Sequence, residues 1–174
     1  GITWERMTIN ALGTDFGRVL EFDLNSFNNT IQHCAINGIN TSSTSNSFSC
    51  IYADNSYSDN LIRYNTIKNG SYGIQHAYSS SNKVSFEVRH NRIENFSTIG
   101  LQFPNVTGLQ VHENTIISAK NNAIGIEVAG DNSTLDIANN QIELSSGWMG
   151  IKLDECTPAG SVRANLYNNM VYIN

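Results

Sequence analysis

Much of what usually reveals a function is missing from this chain. Only 2 prolines occur in 174 residues, which excludes a Pro-rich linker. The 3 cysteines, Cys34, Cys50 and Cys156, are odd in number and far apart. They form neither a disulfide framework nor a zinc motif, and read as small apolar core residues. Charged residues make up just 14% of the chain, the net charge is −5, and no basic run occurs. That charge balance disfavours nucleic acid and anionic membrane as partners. No apolar run reaches the length of a membrane span. Helical periodicity is absent almost throughout. There is neither a signal peptide nor an initiator Met, and both ends, "GITWERM" and "VYIN", are strand-like. We read residues 1–174 as one segment cut from a longer chain, or the mature part of one, so the missing signal carries no information on localisation.

What the chain does contain is asparagine, and it recurs in a frame: apolar, two residues, Asn, one residue, apolar. The copies are Ile62-Arg-Tyr-Asn65-Thr-Ile67, Val88-Arg-His-Asn91-Arg-Ile93 and Val111-His-Glu-Asn114-Thr-Ile116. Ile137-Ala-Asn-Asn140-Gln-Ile142 and Leu166-Tyr-Asn-Asn169-Met-Val171 follow. Two earlier copies keep the frame with Met7 and Cys34 at its centre. A second motif trails each copy: Gly, apolar, polar, apolar. It reads Gly73-Ile-Gln-His76, Gly100-Leu-Gln-Phe103, Gly125-Ile-Glu-Val128 and Gly150-Ile-Lys-Leu153, with degenerate forms at 19–22 and 50–53. The period is about 27 residues, and its variation falls in loops. Each repeat thus offers three short strands of two-residue alternation. A single turn cannot bury its apolar side, whereas stacked turns share one core.

This frame resembles the right-handed, single-stranded parallel β-helix of the pectate-lyase-like superfamily, found in large exported bacterial proteins. The resemblance covers the whole chain and implies an all-β solenoid of six to seven turns with an internal Asn ladder. Asn65, Asn91, Asn114, Asn140 and Asn169 would form that ladder at a sharp corner. Asn tolerates left-handed backbone and carries both donors and an acceptor. Stacked at about 4.8 Å, such residues can bond to one another and to the turn. Met7 and Cys34 would interrupt the ladder.

In enzymes of this superfamily the substrate groove follows the strand that here reads Gly-Ile-x-Val. The alternation puts Glu21, Tyr52, Gln75, Gln102, Glu127 and Lys152 in one outward column. Of these, Gln75, Gln102, Glu127 and Lys152 are the candidate binding residues, with a texture suited to sugar and the Gly column beside them as a flat strip. Glu127 and Lys152 also fit a cross-rung ion pair. Asp23 and Asp54 on adjacent rungs are the one candidate position for Ca2+; no other cofactor or metal is indicated. Arg63, Arg89, His90 and His112 form a modest basic patch on another face. His76 points inward as a core histidine. The paired aspartates of glycoside hydrolysis and the carboxylate cluster of calcium-dependent elimination have no counterpart here.

The sequence therefore implies a structural, carbohydrate-binding or partner-binding segment of a secreted or cell-surface protein, the periplasm included, with flanking domains in the same chain. The competing expectation is a polysaccharide-active lyase, epimerase or hydrolase. Its decisive residues would lie in the longest loops, 37–49 and 77–84, or outside the segment.

Overall fold

A computed structural model of the chain describes residues 1–23, 26–54, 59–77, 85–130, 134–156 and 164–174. Three parallel sheets run the length of the molecule, with 7, 7 and 6 strands. The first holds Thr3–Glu5, Thr30–Gln32, Asn60–Arg63, Phe86–Arg89, Leu109–His112, Leu135–Ala138 and Ala164–Tyr167. The second holds Thr8–Asn10, Ala35–Asn37, Thr66–Lys68, Arg92–Glu94, Thr115–Ser118, Gln141–Leu144 and Met170–Ile173. The third holds Leu20–Phe22, Ile51–Ala53, Tyr72–His76, Ile99–Pro104, Ile124–Ala129 and Met149–Asp154. Every strand pairs with its counterpart one turn earlier or later, giving a β-solenoid of about 6 turns. Among the described residues the one helical element is a short 3₁₀ turn, Asn46–Phe48, inside the 37–49 loop. No helix among them is long and apolar enough to cross a membrane.

The core is a set of columns. Ile31, Ile62, Val88, Val111 and Ile137 stack in register on the first sheet. Ile36, Ile67, Ile93, Ile116 and Ile142 do so on the second. Ile51, Ile74, Leu101 and Ile126 stack on the third. All of these are essentially inaccessible to solvent. Successive rungs present like side chains to like, so β-branched residues interlock along the axis as well as across it. The columns open at the C-terminal rung, where Leu153, Leu166, Val171 and Ile173 are each more than 40% exposed.

The link from first to second sheet is always two residues long: 6–7, 33–34, 64–65, 90–91, 113–114, 139–140 and 168–169. The Asn of the frame is its second member, and the backbone there differs from expectation. The left-handed residue is the one before it: Arg6, His33, Tyr64, His90, Glu113, Asn139 and Asn168 have φ between 53° and 58°. The ladder Asn is not needed for its backbone tolerance. Its amide is needed because the left-handed residue swings two backbone groups out of the sheet pattern. Asn114 shows the full set. Its Nδ2 donates to the Val88 carbonyl (2.9 Å) and to Asn140 Oδ1 (3.0 Å). Its Oδ1 accepts from the Asn91 backbone N–H (3.0 Å) and from Asn91 Nδ2 (3.1 Å). Asn65, Asn91 and Asn140 repeat the pattern, and Asn169 receives the last pair of bonds. The side chains thus restore the bonds lost at the corner.

Cys34 does not simply break this ladder. Its N–H donates to Asn65 Oδ1 (2.9 Å), and its thiol lies 3.6 Å from the Trp4 carbonyl, the acceptor an Asn amide would take. A thiol is a weak donor. Cys34→Asn should therefore extend the ladder by one rung and raise stability by about 1 kcal/mol. Urea unfolding checks it: an unchanged or lower midpoint would show that the buried space around Cys34 does not accommodate the larger amide.

The glycines of the second motif also depart from expectation. They do not leave a flat outer strip. A Cβ on Gly73, Gly100 or Gly125 would point into the core, 2.5, 2.8 and 2.6 Å from Cγ2 of Ile93, Ile116 and Ile142 respectively. At Gly100 it would also come within 2.7 Å of the Gly125 carbonyl oxygen. The third strand kinks at its start so that two consecutive residues, such as Gly100 and Leu101, both face inward. At Gly73, Gly100 and Gly125 the neighbouring rungs leave no room for a side chain at the first of them, whereas Cys50 occupies the same position one turn before Gly73.

Candidate functional site

The outward column of the third sheet is in the predicted register: Glu21 beside Tyr52, Tyr52 beside Gln75, then Gln102, Glu127 and Lys152. From Gln75 to Lys152 its side chains are joined end to end. The Ser49 hydroxyl donates to Gln75 Oε1 (2.7 Å), and Gln75 Nε2 donates to Gln102 Oε1 (2.8 Å). Gln102 Nε2 donates to Glu127 Oε2 (2.7 Å), and Lys152 Nζ reaches Glu127 Oε1 (2.7 Å) and Asp154 Oδ2 (2.9 Å). At the other end, Arg18 pairs with Glu21 (2.8 Å) and lies 3.6 Å over the Tyr52 ring. Tyr52, Gln75 and Glu127 are each under 10% exposed although they face outward. Flat stacking at one rung spacing lets each amide cover the next, the same geometry as the inner Asn ladder. Glu127 and Lys152 form the cross-rung ion pair expected of them. The hydrogen bonds to Glu127 and Asp154 hold the Lys152 ammonium well above the usual lysine range.

Two of the acceptor sites of the Glu127 carboxylate are taken up in holding its neighbours. Both Glu127 oxygens are engaged by donors within the sheet. Asp23 and Asp54, the calcium candidates, follow adjacent paired strands, with Asp54 N–H donating to the Phe22 carbonyl. Among the described residues no group of three or more His, Cys, Asp or Glu converges there or elsewhere.

Each member of the basic patch has a neighbour of its own on the sheet. Arg63 donates to Gln32 (2.9 Å), Arg89 meets Glu87 (2.8 Å), His90 meets Glu113 (2.7 Å) and His112 lies 3.4 Å from Asp136. Sequence reasoning missed what the left-handed corner does to its neighbours. Because that residue points the same way in every turn, His33, Tyr64 and His90 stack face to face. Their ring centroids are 5.1 and 4.6 Å apart, with planes within 4° of parallel. The signal was present in the position before each ladder Asn.

His76 is inward as expected, and 1% exposed. Its Nδ1 is 3.3 Å from the Pro104 carbonyl and its ring meets Phe86 edge-on. Among the described residues Nε2 has no partner. Burial pushes its pKa down, against smaller upward pulls from the Pro104 carbonyl and the Asp54 charge. A depressed histidine pKa means the unfolded chain binds the proton first. Stability is therefore full above the ordinary histidine pKa and falls as pH drops below it, by at most about 1.4 kcal/mol per pH unit. His76→Phe places in this column the residue it already carries at Phe22 and Phe103, and should flatten that slope between neutral and mildly acid pH. Thermal unfolding across that range is the check. An equal slope in both proteins would remove His76 as the cause.

Of the long loops, 37–49 packs onto the solenoid: Ser71 and Ser97 hydroxyls donate to the Ser45 and Ser43 carbonyls (2.5 and 2.6 Å). In the other, residues 78–84 lie outside the described residues. No family model, curated protein or solved structure matches this chain.

Proposed function

We propose that this chain is a non-catalytic β-solenoid segment of a secreted or cell-surface protein, pectate-lyase-like in architecture. It acts as a stiff scaffold whose outer surface meets carbohydrate or a partner protein. The observation that supports this reading is the unbroken hydrogen-bonded chain from Ser49 through Gln75, Gln102, Glu127 and Lys152 to Asp154. On the face where a polysaccharide-active relative would bind, the polar groups bind each other along the axis. That locks successive turns together, and about six rungs at 4.8 Å give a rod about 29 Å long. The test is incubation with a panel of acidic and neutral polysaccharides, followed by assays for new reducing ends and unsaturated products. The expected result is no turnover; any turnover that is lost in Glu127→Gln would establish the enzymatic alternative instead. Calcium at Asp23 and Asp54 is a separate proposal. It predicts a rise in melting temperature on calcium addition that Asp54→Asn removes.

A further inference from the structure

We propose that the first sheet, not the third, carries a binding site, and that it takes a neutral oligosaccharide. This rests on the reading of the chain as a binding scaffold and places the binding surface within it.

A pocket of about 540 Å³ opens on the outer face of the first sheet, at the strand starts. Its floor is one column of successive rungs, Thr30, Leu61, Glu87 and Gln110. Three rung steps make it about 14 Å long, the scale of a short sugar chain. Its rim is the corner column just before the strands: Asn28, Asp59, Ser85 and Gly108. A second, short Asn ladder fixes this rim. Asn29 N–H and Nδ2 both donate to Asn60 Oδ1 (3.1 Å each), and the Ile2 N–H donates to Asn29 Oδ1 (2.9 Å). As at the main corner, the residue before each ladder Asn is left-handed, Asn28 at φ 55° and Asp59 at φ 72°. Both side chains are exposed on the rim. On the next rungs the ladder position is taken by Phe86 and Leu109, and Gly108 presents no side chain at all. The rim is thus built up on one side and notched on the other.

The chemistry differs from that of the third sheet. There the column's amides and carboxylate bond to one another. Here the amides of Asn28 and Gln110 and the hydroxyl of Thr30 have no hydrogen bond to any described residue. Asp59 Oδ1 accepts from the Ser85 hydroxyl (2.6 Å), which aims the carboxylate and leaves its other oxygen for a ligand. Glu87 is balanced by Arg89. Carboxylate, amide and hydroxyl groups set around Leu61, the one aliphatic side chain of the floor, suit paired sugar hydroxyls with a single ring face resting on that leucine. The remaining negative charge of Asp59, with no cation beside it in the lining, disfavours uronates and other anions.

Amide NMR of the chain should test this, titrating cellohexaose, maltohexaose and mannohexaose, with hexagalacturonate as the anionic comparator. At least one neutral probe is expected to shift the amides of Asn28, Thr30, Asp59, Leu61 and Gln110, with hexagalacturonate inert. The paired change Thr30→Ala and Gln110→Ala touches only surface side chains. It should weaken binding about tenfold or more while leaving the far-UV spectrum unchanged. The proposal is overturned if no neutral probe shifts these amides, if the paired variant binds as well as the parent, if hexagalacturonate binds equally, or if the shifts map to Gln75 and Gln102. Product formation in the same samples would sink the non-catalytic reading and leave the site standing; absent shifts would sink the site and leave the scaffold.

Discussion

Asn114→Ala is expected to destabilise the solenoid by about 4 kcal/mol, among the largest losses for a single polar side chain here. Four hydrogen bonds end on this amide, and all of them are inside the coil. Removing it strands the Asn91 N–H, the Val88 carbonyl and one lone pair of Asn140, while the Asn91 amide keeps the Ile62 and Arg89 carbonyls as acceptors. Each buried group left unpaired costs about 1–3 kcal/mol, and partial access of water through the opened corner trims the total. Asn114→Asp should be nearly as harmful. A carboxylate keeps the acceptor but turns a second one toward the Val88 carbonyl. The same substitution at Asn169 is the internal control. That residue sits in the last rung, half-exposed, so water replaces the lost partners and the loss should be about 1 kcal/mol. Urea midpoints for the three variants decide the matter. If Asn114→Ala and Asn169→Ala fall together, the ladder stabilises by something other than buried hydrogen bonding.

Gly100→Ala is expected to destabilise by about 2–3 kcal/mol, the cost of overpacking a filled core. Added on the outside of a sheet, the methyl group would have the opposite effect. Gly→Ala at a backbone position that alanine tolerates usually stabilises by about 0.4–1 kcal/mol, because it restricts the unfolded chain. The sign of the change therefore reports which way the residue faces. In the structure the new Cβ meets the Gly125 carbonyl oxygen at 2.7 Å, Ile116 Cγ2 at 2.8 Å and Phe96 Cζ at 3.1 Å. The isoleucine can adjust; the carbonyl is fixed in the inter-strand ladder. Gly100→Ala combined with Ile116→Val should recover only part of the loss. A stabilised Gly100→Ala protein would mean that the third strand does not kink inward at its start.

Much of the fold was legible because the pattern repeats. Asn114 alone is an odd amide in an apolar run, but five amides at equal positions in one frame mark a corner. The registers of the outward column from Glu21 to Lys152, the inward histidine and the Glu127–Lys152 pair follow from strand alternation alone. What alternation cannot show is where it fails. Gly100 and Leu101 both face the core, and the left-handed φ belongs to Glu113 rather than Asn114. Both errors come from local bends, which shift a side chain without changing the sequence period. The pocket on the first sheet was illegible for a different reason. Thr30, Asp59, Leu61, Glu87 and Gln110 come from four different turns, and their variable spacing in the chain hides a straight column on the surface.

By itself the sequence determined the class of fold: short strands, a period of about 27 residues and a repeated amide allow a stacked coil and little else. It also determined the identity of each column, because register in a buried parallel sheet has only one choice that keeps isoleucine inside. Tertiary structure alone decided which polar groups are free. Whether Gln75 or Gln110 can meet a ligand depends on its neighbour one rung away. Gln75 lies between a serine and a glutamine that saturate it, whereas Gln110 stands between Glu87, drawn off by Arg89, and Asp136, drawn toward His112. A hydrogen bond is a short-range, directional contact, and the groups that satisfy it here are some 25 residues apart in the chain and one rung spacing apart along the axis.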